Sequence, residues 1–399
     1  MPREARPLRI LMLLESGFPV RGGGGAESQV RTLASELLRR GHRVTVLTPR
    51  TRNAPQARVE RCWRIPVCRL PAPRVRGLGR LVLWLRLTAF LLRRGRRYDA
   101  WHVHIGHYLG AIACLLARPL RRRCIVKISG WWELEQGLLA PDASPLARLG
   151  RACLRRAGAL QAISQRIAAE LAAAGFARER IVRLPNAVDG ARFTQRHAAR
   201  AEDAPLRVLF VGRLVAEKGL PILLDAWAGA FPHRGRAHLA LVGGGALEQA
   251  LREQAASLGL GGDIDFLGHR DDIEALVAQA DLGVLPSFTE GLSNTLLEFM
   301  AGALPVIASR VSGSEDLVVD GRNGWLVEPR AVAPLAAALR EAAALPPAEL
   351  ARRGRQARSD VEAVAGLDVV VDRLLALYRG ADPASLPAPH APAAQWQGG

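Results

Sequence analysis

Residues 281–309 read Asp-Leu-Gly-Val-Leu-Pro-Ser-Phe-Thr-Glu-Gly-Leu-Ser-Asn-Thr-Leu-Leu-Glu-Phe-Met-Ala-Gly-Ala-Leu-Pro-Val-Ile-Ala-Ser. An apolar run of strand length ends at Pro286 and Ser287, where proline and a polar cluster stop a ladder. A Gly-containing loop then carries Glu290, and the spacing of apolar residues opens a helix near Ser293 or Asn294. A second apolar strand follows Pro305. Strand, loop, helix and strand in this order make a βαβ crossover of a parallel sheet. The loop and the helix start therefore sit at the carboxyl end of a strand, with Glu290 and Glu298 beside backbone N–H groups that have no partner within the helix.

Such N–H groups hold an anion, and carboxylates next to them suit a ligand that also carries hydroxyls. A nucleotide sugar has both: a diphosphate for the N–H groups, and ribose and hexose hydroxyls for Glu290 and Glu298. The plain alternative is a crossover with one loop Glu and one solvated helical Glu, and spacing alone does not separate the two. The wording does more. Glu290 and Glu298, with seven residues between them, and the run from Glu290 to Ala308 resemble the paired-Glu motif of the retaining glycosyltransferases of family 4. That resemblance implies an α/β chain of the GT-B fold, in which two Rossmann-like, doubly wound domains face a central cleft.

The rest of the chain carries the same rhythm. Strands are expected at 9–14, 44–48, 100–104, 124–128, 160–163 and 181–184, with helices at 26–40, 77–94, 108–117, 144–157 and 164–174. The second half repeats it, with strands at 206–211, 238–242, 264–267, 281–285, 305–308 and 325–327. This alternation is that of parallel, doubly wound sheets. Residues 185–205 lack periodicity and read as a linker. The expected domains are 1–190 on the acceptor side and 200–360 for the nucleotide sugar, with a helix over 361–378 crossing back onto the first. Residues 381–399, rich in Pro and Ala, read as a disordered tail.

Four further stretches carry chemistry. Residues 22–27 read Gly-Gly-Gly-Gly-Ala-Glu between the first strand and first helix. Consecutive glycines let backbone N–H groups approach a ligand. The next strand ends Leu47-Thr48-Pro49-Arg50, without the acidic residue of a dinucleotide site. The resemblance makes Gly24, Gly25 and Glu27 donor-binding. Residues 101–107 read Trp-His-Val-His-Ile-Gly-His, with His102 and His104 on one strand face and no carboxylate in metal-ligand spacing. The family places a donor-sugar His at the end of this strand, and His104 matches it best, with His107 second. Residues 127–135 read Lys-Ile-Ser-Gly-Trp-Trp-Glu-Leu-Glu at a sheet's carboxyl edge. Ser129-Gly130 departs from the family's His-Gly there, which leaves Lys127 and Glu133 as acceptor-side candidates and Trp131 and Trp132 as sugar-stacking or core residues. Residues 210–219 read Phe-Val-Gly-Arg-Leu-Val-Ala-Glu-Lys-Gly. Arg213 and Lys218 resemble the family's pair that clamps the donor diphosphate, and two cations stabilise a leaving phosphate without a metal.

By the same resemblance Gly212, Gly244, Gly291, Leu292, Ser293, Asn294, Thr295 and Glu298 line the donor. Glu298 is expected on the ribose hydroxyls and Glu290 on those of the sugar. UDP or GDP is the expected nucleotide, although the stretch Gly268-His269-Arg270 beside the base would read it through backbone and does not choose among UDP, GDP and ADP. No cofactor is expected beyond that donor.

Composition bounds the partners. The net charge of +18 is split: residues 1–200 carry 38 Lys+Arg against 12 Asp+Glu, and residues 201–399 carry 17 against 25. An anionic membrane surface or a phosphate-bearing acceptor fits that first half, and the Leu- and Arg-rich segment 74–97 is either a membrane face or a packed helix with solvated arginines. Nucleic acid is not expected, since no aromatic-interleaved basic platform appears. Of 55 basic residues 53 are Arg, so coding bias accounts for part of the charge, and Lys127 and Lys218 stand out against it. Five cysteines without close pairing, no leader-like start and no apolar run of membrane-spanning length give a cytoplasmic expectation. The reaction expected is retaining, metal-independent transfer of a sugar to a hydroxyl of a sugar, lipid-linked sugar or small molecule, in glycan, polysaccharide or glycolipid biosynthesis. Same-face attack is the expected route, a covalent glycosyl-enzyme its alternative. A GT-B sugar-nucleotide epimerase and a non-catalytic sugar-nucleotide sensor are the competing functions.

Overall fold

Apolar strands buried on both faces must be covered by helices on both sides, and the chain does this twice. The structure, a computed structural model, describes residues 6–19, 24–50, 57–71, 78–140, 144–193, 200–233 and 235–387, without the side chains of Trp131 and Trp132. Gly22 and Gly23 of the glycine run, and the stacking expected of Trp131 and Trp132, lie outside the described residues. The chain divides into one unit of residues 1–187 with 367–388 and another beginning at Val188 and running to Gly366.

The first unit holds strands β1 (Arg9–Leu13), β2 (Arg43–Pro49), β3 (Val59–Cys62), β4 (Ile65–Leu70), β5 (Ala100–Val103), β6 (Arg123–Ile128), β7 (Ala159–Ala162) and β8 (Ile181–Arg183). Their order is β3-β4-β2-β1-β5-β6-β7-β8. Every neighbouring pair is parallel except β3 and β4, which form an antiparallel hairpin. The order reverses at β1, whose neighbours are β2 and β5, so the crevice that a doubly wound sheet offers a ligand lies at the carboxyl ends of β1 and β5. Ile10, Met12, Val30, Leu33, Val44 and Val46 form the core together with Val370, Val371, Leu374 and Tyr378.

The second unit holds β9 (Leu206–Val211), β10 (Ala237–Val242), β11 (Ile264–Gly268), β12 (Leu282–Leu285), β13 (Val306–Ser309) and β14 (Gly324–Val327), in the order β11-β10-β9-β12-β13-β14. All its pairs are parallel, for example Leu209 opposite Gly283 and Leu239 opposite Val208. Here the order reverses at β9, between β10 and β12. Among the described residues no helix is long and apolar enough to cross a membrane.

Four points differ from expectation. The hairpin β3–β4 was not expected. Its two-residue turn is Trp63-Arg64, with φ of 49° and 68°, values that sequence signals associate with Asn-Gly. The helix expected over 361–378 is two helices, Pro347–Ala365 and Leu367–Arg379, broken at Gly366, where ψ is 141°. Only the second belongs to the first unit, where Arg40 pairs with Asp368 and Asp372. Of the segment read as a tail, residues 381–387 are placed and contain a short turn, Pro383–Ser385; residues 388–399 lie outside the described residues. Likewise the segment read as a linker begins with buried Asn186, Ala187 and Val188 and a 3-10 turn at Gly190–Phe193.

Candidate functional site

In the second unit the carboxyl ends of β9, β10 and β12 bring three loops together. After β9 the Gly212 N–H donates to Val242 O at 2.9 Å and the Leu214 N–H to Gly244 O at 3.0 Å, lacing the Arg213 loop to the glycine turn after β10. The lacing depends on missing side chains: a Cβ on Gly243, whose φ is 129°, would lie 1.9 Å from Gly212 O, and one on Gly245 would lie 2.3 Å from Leu214 O. Arg213 is exposed and, among the described residues, has no carboxylate within ion-pair distance. Lys218 closes the 3-10 turn Ala216–Lys218, and Gly219, at φ 66°, passes into the helix Leu220–Ala230. A Cβ on Gly219 would meet Pro286 O at 2.1 Å, and the Phe288 N–H donates to Glu217 O at 2.8 Å. The turn that carries Lys218 is thereby pressed onto the loop that carries Glu290.

Lys218 Nζ and Glu290 form an ion pair, with side-chain exposures of only 18% and 15%. The Ser287 hydroxyl donates to Glu290 Oε1 at 2.9 Å. Ser312 fixes the next residue, donating to Gly291 O at 3.1 Å, and Thr295 donates to Val211 O at 3.2 Å, so the start of the helix Asn294–Ala301 is tied to the end of β9. Leu292 and Ser293 are buried, Ser293 at the N-cap. Glu298, one helical turn on and partly buried, is pushed up to about 7 by loss of water around its carboxyl; nearby Arg192 pulls it down and Glu274 raises it. The unit thus offers two cations, a glycine-lined backbone and two carboxylates, one of them poised to change charge near neutrality.

In the first unit the loops after β1, β5 and β6 form a separate constellation. Thr48 donates its hydroxyl to Ser16 O, and Ser16 donates to Glu27 Oε1, in the first turn of the helix Gly25–Arg39. A Cβ on Gly24 would lie 1.8 Å from Glu27 Oε2, so this carboxylate folds back over the helix start. His102 and His104 do share one face, with rings 4.2 Å apart. They differ in their partners. His102 is a satisfied core residue, with Nε2 3.1 Å from Gln161 Oε1 and Nδ1 2.7 Å from the Tyr378 hydroxyl, and burial holds it neutral at about 3. His104 is fully buried, yet neither ring nitrogen has a partner among the described residues, and burial with nearby His102 and Lys127 holds it well below the ordinary histidine range. His107, the second choice, meets Glu15 Oε1 at 2.8 Å.

Lys127 is 1% exposed, and burial lowers it to about 7 although Glu133 pulls the other way. Glu133 accepts N–H bonds from Gly106, Ser129 and Gly130, each at 2.6 Å, and the Ser129 hydroxyl at 3.1 Å. Burial pushes its carboxyl up while these N–H groups pull back. Through these bonds Glu133, read from the sequence as an acceptor-side candidate, joins the loops after β5 and β6. The residues that sequence reasoning passed over are loop clamps too: Ser16, Glu15, Ser287 and Ser312. Ser287, three residues before Glu290 in a strand-ending loop, was the one with a local signal.

Comparison with known proteins bears on this geometry. A model of the Glycosyl transferase 4-like domain matches residues 24–187, and one of the Glycosyl transferases group 1 matches residues 205–344. The chain is 37% identical over 195 residues to a glycogen synthase of Mycobacterium tuberculosis, a match to 47% of the chain and 45% of that protein. In such cases the chain spans about half the length of the curated relatives it matches. It is 30% identical to a D-inositol 3-phosphate glycosyltransferase of Geodermatophilus obscurus, with 95% of the chain and 91% of that protein covered. The GT-B fold is shared with the Anabaena protein HepE, solved with UDP-glucose, at a TM-score of 0.73 and 22% identity, covering 94% of this chain and 100% of that one.

Proposed function

The chain belongs to the glycosyl transferases of group 1, and we propose that it moves a sugar from a nucleotide-sugar donor to a hydroxyl acceptor, with retention and without a metal ion. The observation that carries this reading is the Lys218–Glu290 pair beside exposed Arg213 at the reversal point of the second sheet. Breaking the sugar–phosphate bond leaves a nucleoside diphosphate whose charge grows on the departing oxygen. Arg213 and Lys218 supply fixed positive charge at that position, where it stabilises the transition state more than the ground state. Glu290, released from Lys218 as phosphate arrives, takes the sugar hydroxyls. Glu298 takes the ribose hydroxyls, and the backbone of Gly212, Gly244 and Gly291–Thr295 lines the diphosphate. The leaving phosphate oxygen takes the acceptor proton on the same face.

In the first unit, Gly24, Gly25 and Glu27 are proposed for the donor, His104 for a sugar hydroxyl through its unpartnered nitrogens, and Lys127, half neutral near pH 7, for the acceptor hydroxyl. Glu133 holds the loops that present them. The UDP-glucose complex of HepE supports a uridine nucleotide as donor. An anionic membrane surface is proposed for the helix Leu78–Arg94, which exposes Leu81 and Leu85 and ends in Arg93 and Arg94.

The test is a thermal-shift panel of UDP- and GDP-sugars followed by product analysis with sugar and lipid-linked acceptors. Binding at one hundred times the dissociation constant stabilises by about 2.7 kcal/mol. One member of the panel is expected to raise the melting temperature, and its sugar to appear on an acceptor with the donor's anomeric configuration. An inverted product would end the retaining proposal, and stabilisation without turnover would favour a sensor.

A further inference from the structure

The opposite edge of the first sheet holds a feature that sugar transfer does not use. The amino ends of β1, β2, β5 and β6 border an open pocket of about 510 Å³ lined by Arg6, Arg9, Arg43, Arg96, Arg97 and Arg122. Arg9 and Arg43 face each other in register at the starts of β1 and β2. Arg96 and Arg97 form the 3-10 turn ahead of β5, and Arg122 precedes β6. The lining contains one carboxylate, Asp99, already committed: it accepts from Arg6 at 2.7 Å and from the Arg9 N–H at 2.8 Å. Six guanidiniums against that one carboxylate leave the wall at a formal +5. Among the described residues, Arg9, Arg43, Arg96, Arg97 and Arg122 have no carboxylate within ion-pair distance. Arg122 is aimed by donating to Tyr98 O at 3.2 Å and Leu120 O at 3.3 Å.

Helix carboxyl termini attract arginines to this end of a doubly wound sheet. That accounts poorly for Arg9 and Arg43, which begin strands. A coding preference explains why these residues are Arg and not Lys, but not why six of them converge on one concavity that holds a single carboxylate. A concave wall of one sign focuses the field and concentrates anions. Guanidinium forks remain charged and bind phosphate oxygens in pairs. The volume is that of a small-molecule site, and Pro7 is the apolar member of the lining, so the occupant is compact, polar and strongly anionic.

We propose that this pocket is a second ligand site, for a compact anion carrying two or more phosphate groups, at the end of the first sheet opposite the loop that carries Gly24 and Glu27. A free phosphorylated small molecule and a pyrophosphate-type lipid headgroup share that chemistry. The proposal stands apart from the reaction, because it rests on the amino edge alone.

The experiment titrates inorganic tripolyphosphate into the full chain by calorimetry at fixed ionic strength. The Arg213→Ala/Lys218→Ala variant removes the donor-side phosphate clamp and is expected to keep the binding. Arg43→Gln/Arg97→Gln, both exposed positions, is expected to weaken it by about tenfold or more, with nucleotide-sugar affinity unchanged. Arg43→Lys/Arg97→Lys keeps the charge and removes the fork, and is expected to fall between the two, which separates recognition from loss of fold. Sedimentation with phosphatidylcholine vesicles that carry a lipid pyrophosphate, against phosphatidylcholine alone, identifies the source: loss of tripolyphosphate binding alone in Arg43→Gln/Arg97→Gln indicates a soluble ligand, and loss of both indicates a headgroup. Tripolyphosphate affinity that is unchanged in Arg43→Gln/Arg97→Gln, or abolished by Arg213→Ala/Lys218→Ala, overturns the proposal.

Discussion

At the scale of single residues, the question is what each charge does when the reaction moves charge. Arg213 and Lys218 act on a leaving group whose charge grows, so Arg213→Ala and Lys218→Ala are expected to lower turnover more than donor affinity. A fall of about a hundredfold to a thousandfold, or about 2.7–4 kcal/mol, is the usual effect of removing one such group. Single-turnover rates set against equilibrium donor binding measure the split, and weakened donor binding with an unchanged single-turnover rate would mean that the two cations hold ground state and transition state alike. Lys127 makes a pH-dependent prediction. Its ordinary value is 10.5 and burial lowers it to about 7. Between those values the unfolded chain binds a proton that the folded chain does not, so stability rises with pH across that window, by up to about 1.4 kcal/mol per unit. Lys127→Met is expected to flatten that rise and to melt higher than the wild type at pH 7. Parallel melting curves from pH 7 to 10 would show that this lysine is not held neutral by burial. Arg213, Lys218, Glu290 and Glu298 could be proposed from the sequence because they sit at fixed offsets within two contiguous stretches, and the fold brings Lys218 and Glu290 into an ion pair. That Glu133 clamps loops and that His102, unlike His104, is satisfied was not, because their partners Gly106, Gln161 and Tyr378 come from elsewhere in the chain.

At the scale of elements, legibility followed periodicity. Every strand of the second unit was anticipated, since each is a short apolar run bounded by glycine or proline. The hairpin Val59–Leu70 was missed because its turn residues, Trp63 and Arg64, are not those that take positive φ cheaply. Contacts repay the conformation: the Arg31 guanidinium lies 4.4 Å from the centre of the Trp63 ring, and Phe18 packs edge-on at 5.9 Å. The helix Leu78–Arg94 yields a prediction at this scale. Its exposed Leu81 and Leu85 and its terminal Arg93 and Arg94 are expected to dock on an anionic bilayer. Leu81→Ser/Leu85→Ser and Arg93→Gln/Arg94→Gln should each reduce sedimentation with phosphatidylglycerol vesicles. The arginine contribution alone should fade as salt shortens the Debye length from about 10 Å toward 3 Å. Sedimentation that neither pair of substitutions changes would leave the helix a packed element with solvated arginines.

At the scale of the molecule, the proposed chemistry draws its positive charge from protein side chains, so chelation with EDTA is expected to leave turnover intact. Loss of activity that a divalent ion restores would overturn the metal-free mechanism. The strand and helix rhythm, the paired glutamates and the Arg–Lys spacing were set by the sequence itself, because alternation of apolar runs and local offsets are properties of neighbours along the chain. Strand order was not. The reversals at β1 and β9 choose which carboxyl ends form crevices, and they arise from packing helices on both faces of a twisted sheet. The same holds for the arginine pocket at the amino edge: Arg9, Arg43, Arg97 and Arg122 are scattered through more than a hundred residues, and only the parallel register of β1, β2, β5 and β6 sets them around one cavity.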